Sequence, residues 1–282
     1  MELVQWIAIF VVSLAVLVKA ADFFIESAEK IGAALKINPF IIGVTVVALG
    51  TSLPELITSL IAVFAGSTEI VSGNVVGSNI ANFGLVMGIV GIIVKEVQLK
   101  VNVMTIEMPF FVGSAILVSI MMIDGTIDFW DGIVATLGML IFLVYTLKDG
   151  AAHSTEPPTS EETKIPMAAV VMFLLSGVAI YFSAKYNIDA VIQLAAILNI
   201  GSEVVAQTAV ALGTSLPELI VSMAAARKNN LEIAIGNLIG SNIFNSFAVL
   251  GIPALIAPLV IPSGMLSFCL LYTSPSPRDD IS

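Results

Sequence analysis

Long apolar runs, separated by short polar or charged stretches, recur along the chain from one end to the other. Each run is about as long as the roughly 20 residues that a membrane-crossing helix needs. The pattern predicts spans near 5–27, 40–64, 70–94, 103–123, 129–147, 166–184, 203–226 and 233–257, and a further one beginning near Leu259. The expected fold class is all-α, a polytopic membrane protein. Glu2 precedes the first run and no small-residue cleavage site follows it, so the first span is expected to stay as a helix.

One passage inside this apolar pattern is written twice. Val47 to Ile57 reads VALGTSLPELI, and so does Val210 to Ile220; GNVVGSNIAN follows from Gly73 and GNLIGSNIFN from Gly236. Glu55 and Glu218 are 163 positions apart, as are Ser78 and Ser241, so one ungapped offset relates both blocks. The basic residues orient the copies. If the spans alternate, Lys30, Lys36, Lys95, Lys100, Lys148, Lys164, Arg227 and Lys228 share one side, with Lys185 the only basic loop residue opposite. Positive charge collects on the cytoplasmic side. The amino terminus is then outside, the acidic loop from Asp149 to Glu162 cytoplasmic, and Asp124, Asp128 and Asp131 outside. Five spans separate the two copies of the motif, so they run in opposite directions through the membrane, as in transporters built from inverted repeats. The expected organisation is a first five-helix repeat over 1–148, an acidic linker over 149–165, a second repeat over 166–271 that is truncated at its C-terminal end, and a non-native or truncated tail over 272–282.

Composition agrees with the membrane and removes other classes. The chain is 58% hydrophobic and 11% charged, with a mean hydropathy of +1.04, far more apolar than a water-soluble globule. A net charge of −10 argues against a nucleic-acid partner. Cys269 and His153 are each alone, which leaves no internal disulfide and nothing from which to build a zinc or haem site. No cofactor and no protein partner are expected.

The motif chemistry follows from helix geometry. Pro54 has no N–H and crowds the carbonyl of Gly50, and Pro217 does the same at Gly213, so a broken helix is expected near each. A carbonyl freed in hydrocarbon must be satisfied by something, and a bound cation can do so. Thr51 and Ser52 share a helical face with Glu55, as Thr214 and Ser215 do with Glu218. On the following helices Ser78 and Asn82 are one turn apart, as are Ser241 and Asn245, while Gly73 with Gly77 and Gly236 with Gly240 allow close helix contact. The expected cage holds two carboxylates, hydroxyls, amide carbonyls and backbone oxygens. That set suits a hard cation, Ca2+ or Na+, with protons competing for the same carboxylates.

These paired blocks resemble the alpha-1 and alpha-2 repeats of the cation/calcium exchanger superfamily, and its prokaryotic sodium/calcium exchanger branch in particular. The resemblance runs from the first span to about Pro258. It implies ten helices, a site made by the second, third, seventh and eighth, and alternating access by sliding of the first and sixth. It further implies that Glu55 and Glu218, with the carbonyls of Thr51 and Thr214, hold Ca2+. Ser78, Ser241 and the carbonyls of Ala48 and Ala211 would contribute to flanking Na+ sites, and Asn82 and Asn245 to the central one. Some relatives carry Asp where this chain has Asn245, which argues against a K+ requirement. The polar run YTSPSPRDDIS after Leu271 cannot span a bilayer, so the ninth helix is read as cut short and the tenth as missing.

The expected activity is antiport of Ca2+ against Na+ across the inner (plasma) membrane, by a protein whose partners are the lipid bilayer and the ions themselves. Ca2+/H+ antiport by the same fold and a passive cation channel remain as alternatives. An enzyme is not expected, because no serine is paired with a usable base. Simpler roles stand beside the nominated ones: Ser78 and Ser241 could bond to their own helices, and Asn82 and Asn245 could join helices without touching an ion. Lys19, Asp22 and Glu26 read as interfacial residues, Glu107 and Glu203 as helix starts, and the outer aspartates as solvated loop.

Overall fold

The computed structural model describes residues 2–94, 105–152, 166–197 and 215–262. Eight helical segments fall within them: α1 (Glu2–Leu35), α2 (Pro39–Phe64), α3 (Glu69–Ile93), α4 (Glu107–Met121), α5 (Phe129–Ala152), α6 (Met167–Ile197), α7 (Leu216–Arg227) and α8 (Leu231–Ala254). Among the described residues six are long and apolar enough to cross a membrane: α1, α2, α3, α5, α6 and α8; α4 is a shorter apolar helix.

Local chemistry sets the ends. Asn38 caps α2 by accepting from the Phe40 N–H at 2.8 Å, with Pro39 at the first helical position, where its missing N–H costs nothing. Asn230 caps α8 by accepting from the Ile233 N–H. Asp128 and Asp131 bond reciprocally at the start of α5, Asp128 Oδ1 accepting from the Asp131 N–H and Asp131 Oδ2 from the Asp128 N–H. Those aspartates therefore secure a helix start. Glu107 opens α4, as its place in the sequence suggested.

The inverted repeat is visible in detail. The helix before the α2–α3 turn ends with Ser67 N–H bonding to Ala62 O at 2.9 Å and Gly66 N–H to Val63 O at 3.0 Å. The α7–α8 turn repeats it, Asn230 to Ala225 at 2.9 Å and Asn229 to Ala226 at 3.0 Å. Gly66 (φ 76°) and Asn229 (φ 59°) both take the left-handed conformation that this helix ending requires. Each residue in the second turn stands 163 positions after its counterpart.

The pairing of α1 with α6 obeys the same relation. Asn187 donates to Phe10 O at 3.2 Å and to Ser13 Oγ at 3.1 Å. The symmetry-related place holds Phe24 stacked on Phe173, with ring centroids 4.2 Å apart. Phe24 also covers Gly50, where a methyl group would come within 2.7 Å of the ring. Beyond this pair, the α7–α8 turn reaches α1: Lys228 Nζ donates to Asp22 O at 2.9 Å, and Asn230 Nδ2 to Glu29 Oε1 at 2.8 Å.

α8 is the centre of the packing. Every residue from Ile233 to Gly251 is buried, as expected of a helix with neighbours on all sides. Its glycines make this possible against α2: a methyl at Gly236 would sit 2.6 Å from Phe40 O, and one at Gly240 would overlap Val44 O. Gly43 faces Ile233 O as closely, at 2.6 Å. The first GxxxG differs, since no described residue lies within 4 Å of a methyl placed on Gly77. The stretch that the 163-residue offset pairs with Gly43–Ala48 lies outside the described residues.

Three expectations need correction. The span expected from Leu259 does not begin there: Leu259–Val260 is a short strand paired antiparallel with Thr126–Ile127, β-branched Thr126 opposite β-branched Val260, and residues from 263 on lie outside the described residues. Helices α1 and α6 run well past 27 and 184, because Lys30 and Lys185 lie along helices and not in loops. Snorkelling lets such lysines extend an apolar helix. Nor is the helix broken at Pro54: α-helix runs unbroken from Ala48 to Phe64, and the irregularity falls just before it, as a π-helical turn over Gly43–Val47. In the second repeat Pro217 stands in the first turn of α7, with Ser215 preceding the helix. Residues 203–214 of the expected seventh span, including Glu203, lie outside the described residues.

Candidate cation site

The sequence-nominated residues converge where α2, α3, α7 and α8 meet. Glu55, Ser52, Ser78, Asn82, Glu218, Ser241 and Asn245 are all 0% exposed, Thr51 and Ala48 are 1% exposed, and Ser215 2%. Thr214 and Ala211 lie outside the described residues. Polar groups concentrated so deeply in an apolar body demand a reason, because each unsatisfied one costs about 1–3 kcal/mol and a charged one more.

The halves touch through these groups. Ser52 Oγ on α2 donates to Glu218 Oε1 on α7 at 3.0 Å. Thr51 Oγ1 lies 3.3 Å from Ser241 Oγ on α8 and has Asn237 Oδ1 at 3.1 Å and its own Ala48 O at 3.2 Å as acceptors within reach. Glu55 and Glu218 are near enough for their charges to repel. Among the described residues both oxygens of Glu55, Oε2 of Glu218, Oγ of Ser215 and both amide atoms of Asn82 and of Asn245 have no hydrogen-bond partner. Two carboxylates facing each other without a counter-charge form an arrangement that a cation completes. Hydroxyl and amide oxygens around them extend the set toward the six to eight ligands that Ca2+ takes.

The backbone is irregular at the same level. Asn82 lies in a π-helical segment, Ala81–Val86, and Asn245 opens another, Asn245–Val249. Such bulges shift side chains out of helical register and collect at functional sites. Here they occur at symmetry-equivalent positions in both repeats.

Other buried or half-buried polar residues were not singled out from the sequence. Asn74 Nδ2 donates to Ser59 Oγ at 3.2 Å and to Glu55 O at 3.3 Å, and Asn237 Nδ2 to Ser222 Oγ at 2.9 Å. Asn79 Nδ2 donates to Ser246 Oγ at 3.0 Å and to Asn242 O at 3.4 Å, a further link between the repeats. The signal that would have found them is the same 163-residue offset, which pairs Asn74 with Asn237, Asn79 with Asn242 and Ser59 with Ser222. Among the described residues no group of three or more His, Cys, Asp or Glu side chains is clustered as a resident metal centre would need.

Known proteins share this architecture. The family profile described as "Sodium/calcium exchanger protein" matches residues 5–148 and 168–274. The chain is 32% identical over 300 residues to the sodium/calcium exchanger MaX1 of Methanosarcina acetivorans, covering 92% of this chain and 85% of that protein. It is 35% identical over 261 residues to the inner membrane protein YrbG of Escherichia coli, covering 89% and 80%. Among solved structures, the sodium-calcium exchanger NCX_Mj soaked with 2.5 mM Na+ and 10 mM Sr2+ superposes with a TM-score of 0.82 at 31% identity, covering 95% of this chain and 88% of that one.

Proposed function

Because the chain belongs to the sodium/calcium exchanger family, whose members are membrane-embedded cation/calcium exchangers, we propose that it is a secondary active antiporter. In this reading it exchanges Ca2+ for Na+ by alternating access. The carrying observation is the bond from Ser52 of one repeat to Glu218 of the other, beside carboxylate oxygens that no described group satisfies. Ca2+ would be held by Glu55 and Glu218 with the carbonyls of Thr51 and Thr214. Na+ would use neutral oxygens beside them, from Ser52, Ser215, Ser78, Ser241, Ala48 and Ala211, with Asn82 and Asn245 between. Two negative charges balance one Ca2+ or a pair of Na+, so occupancy by either leaves no uncompensated charge in low dielectric. The proposed setting is the inner (plasma) membrane, amino terminus outside and the acidic linker cytoplasmic, supported by the distribution of lysine and arginine.

Counterflow in proteoliposomes tests this reading. An outward Na+ gradient at constant pH should drive uptake of labelled Ca2+ above its equilibrium level, and uptake should stall when Na+ is replaced by choline. Uptake that follows a pH gradient and ignores Na+ would establish proton antiport instead. Equilibration of Ca2+ with no counter-ion at all would establish a channel.

A further inference from the structure

Four neutral oxygens gather on one side of the paired glutamates. Thr51 Oγ1 lies 3.2 Å from Ala48 O, 3.1 Å from Asn237 Oδ1 and 3.3 Å from Ser241 Oγ. None of these four residues is more than 1% exposed. A cluster of uncharged oxygens suits a monovalent cation better than a divalent one, which draws on carboxylates.

The Thr51 hydroxyl has a single proton and several acceptors within reach: Asn237 Oδ1, Ala48 O, Ser241 Oγ and the Glu218 carboxylate. Asn237 is in turn held in one orientation, because its Nδ2 donates to Ser222 Oγ at 2.9 Å and Ser222 is 0% exposed. With the amide so fixed, its carbonyl always faces Thr51. The amide then draws the hydroxyl proton toward itself, and the Ala48 oxygen and the Thr51 lone pairs stay open to an ion. Without the amide the proton turns to Ala48 O, Ser241 Oγ or the Glu218 carboxylate, and whichever cage oxygen it takes is lost as a ligand.

We propose that Asn237 is a positioning residue for the monovalent ion: held by Ser222, it takes the Thr51 hydroxyl proton and so keeps the neutral-oxygen cluster open. The inference rests on the sodium-coupled reading above. It assigns Asn237 no contact with Ca2+. The equivalent amide in the first repeat, Asn74, is turned to a different task, since it donates to Ser59 and to the main-chain oxygen of Glu55.

The experiment compares wild type, Asn237→Ala, Asn237→Asp and Ser222→Ala in proteoliposomes, measuring the Na+ concentration for half-maximal counterflow and, separately, the Ca2+ concentration for half-maximal uptake. Asn237→Ala should raise the Na+ value roughly threefold to tenfold, the range expected from one buried hydrogen bond, and leave the Ca2+ value within about twofold. Asn237→Asp keeps an acceptor for Thr51, and the carboxylate it adds favours a nearby cation, so the Na+ value should not rise as it does in Asn237→Ala. Ser222→Ala frees the amide to turn and should fall between wild type and Asn237→Ala; it supplies the same comparison if the alanine variant at 237 does not fold. Parallel loss of affinity for both ions, or an unchanged Na+ value in both alanine variants, overturns the proposal while the sodium-coupled reading stands. A wild-type protein indifferent to Na+ overturns both.

Discussion

Replacing Glu55 or Glu218 by glutamine should abolish Ca2+ transport, with a loss of roughly 100-fold or more, while the protein still reaches the membrane. Both side chains are 0% exposed and carry oxygens that no described group satisfies. Glutamine preserves shape and volume but removes the charge that a dehydrated Ca2+ requires. Breaking a buried charge pair costs about 3–5 kcal/mol, and a 100-fold loss corresponds to only about 2.7 kcal/mol, so the expected fall is a lower bound. Folding should suffer little. The Ser52 hydroxyl that donates to Glu218 Oε1 can donate equally to an amide oxygen, and the repulsion between the two carboxylates is relieved in either variant. The measurement is labelled Ca2+ uptake normalised to protein recovered from the membrane and checked for a single symmetric gel-filtration peak. Wild-type exchange by either variant would remove that glutamate from the ion site.

The second large effect is expected at Gly240, and it concerns folding rather than ions. Gly240→Leu should lower the thermal stability of the detergent-purified protein drastically or prevent its recovery. Even a methyl group there overlaps the Val44 carbonyl, which is backbone and cannot rotate away. Overpacking a close contact typically costs about 1–3 kcal/mol, and forcing two buried helices apart exceeds that. Gly113→Leu is the control: Gly113 is exposed on α4, with no described atom within 4 Å of an added methyl, and should behave like wild type. Equal stability of the two leucine variants would mean that α2 and α8 do not rely on this close approach.

Much of this was legible in the chain, for one reason: in hydrocarbon, polar residues are scarce enough that each one is informative. The duplicated GTSLPE and GSN blocks located both halves of the site, and the burial of Ser52, Glu55, Ser78, Asn82, Glu218, Ser241 and Asn245 agrees with that reading. What escaped was partner choice. Asn74 and Asn237 lie among neighbours written off as helix-packing residues, and nothing local distinguishes an amide that bonds to a serine fifteen positions earlier from one that does not. Proline was also over-read. A missing N–H predicts a lost hydrogen bond at Pro54, but the helix continues through it, because whether one lost bond breaks a helix depends on the helices packed around it. The strand at Leu259–Val260 was hidden by its own hydrophobicity, since an apolar run ending one helix and an apolar run beginning another look alike.

The contact of the α7–α8 turn with α1 has one more implication. Lys228 and Asn230 fasten that turn to Asp22 and Glu29. Subtracting 163 gives Ala65 and Ser67 in the opposing turn, and adding it to Asp22 and Glu29 gives Lys185 and Ile192 on α6. Alanine and isoleucine cannot rebuild those bonds, so the two turns of an otherwise mirrored molecule are fastened unequally. In an exchanger working by the proposed alternating access, that inequality would tilt the resting balance between its two open faces through wiring remote from the ions.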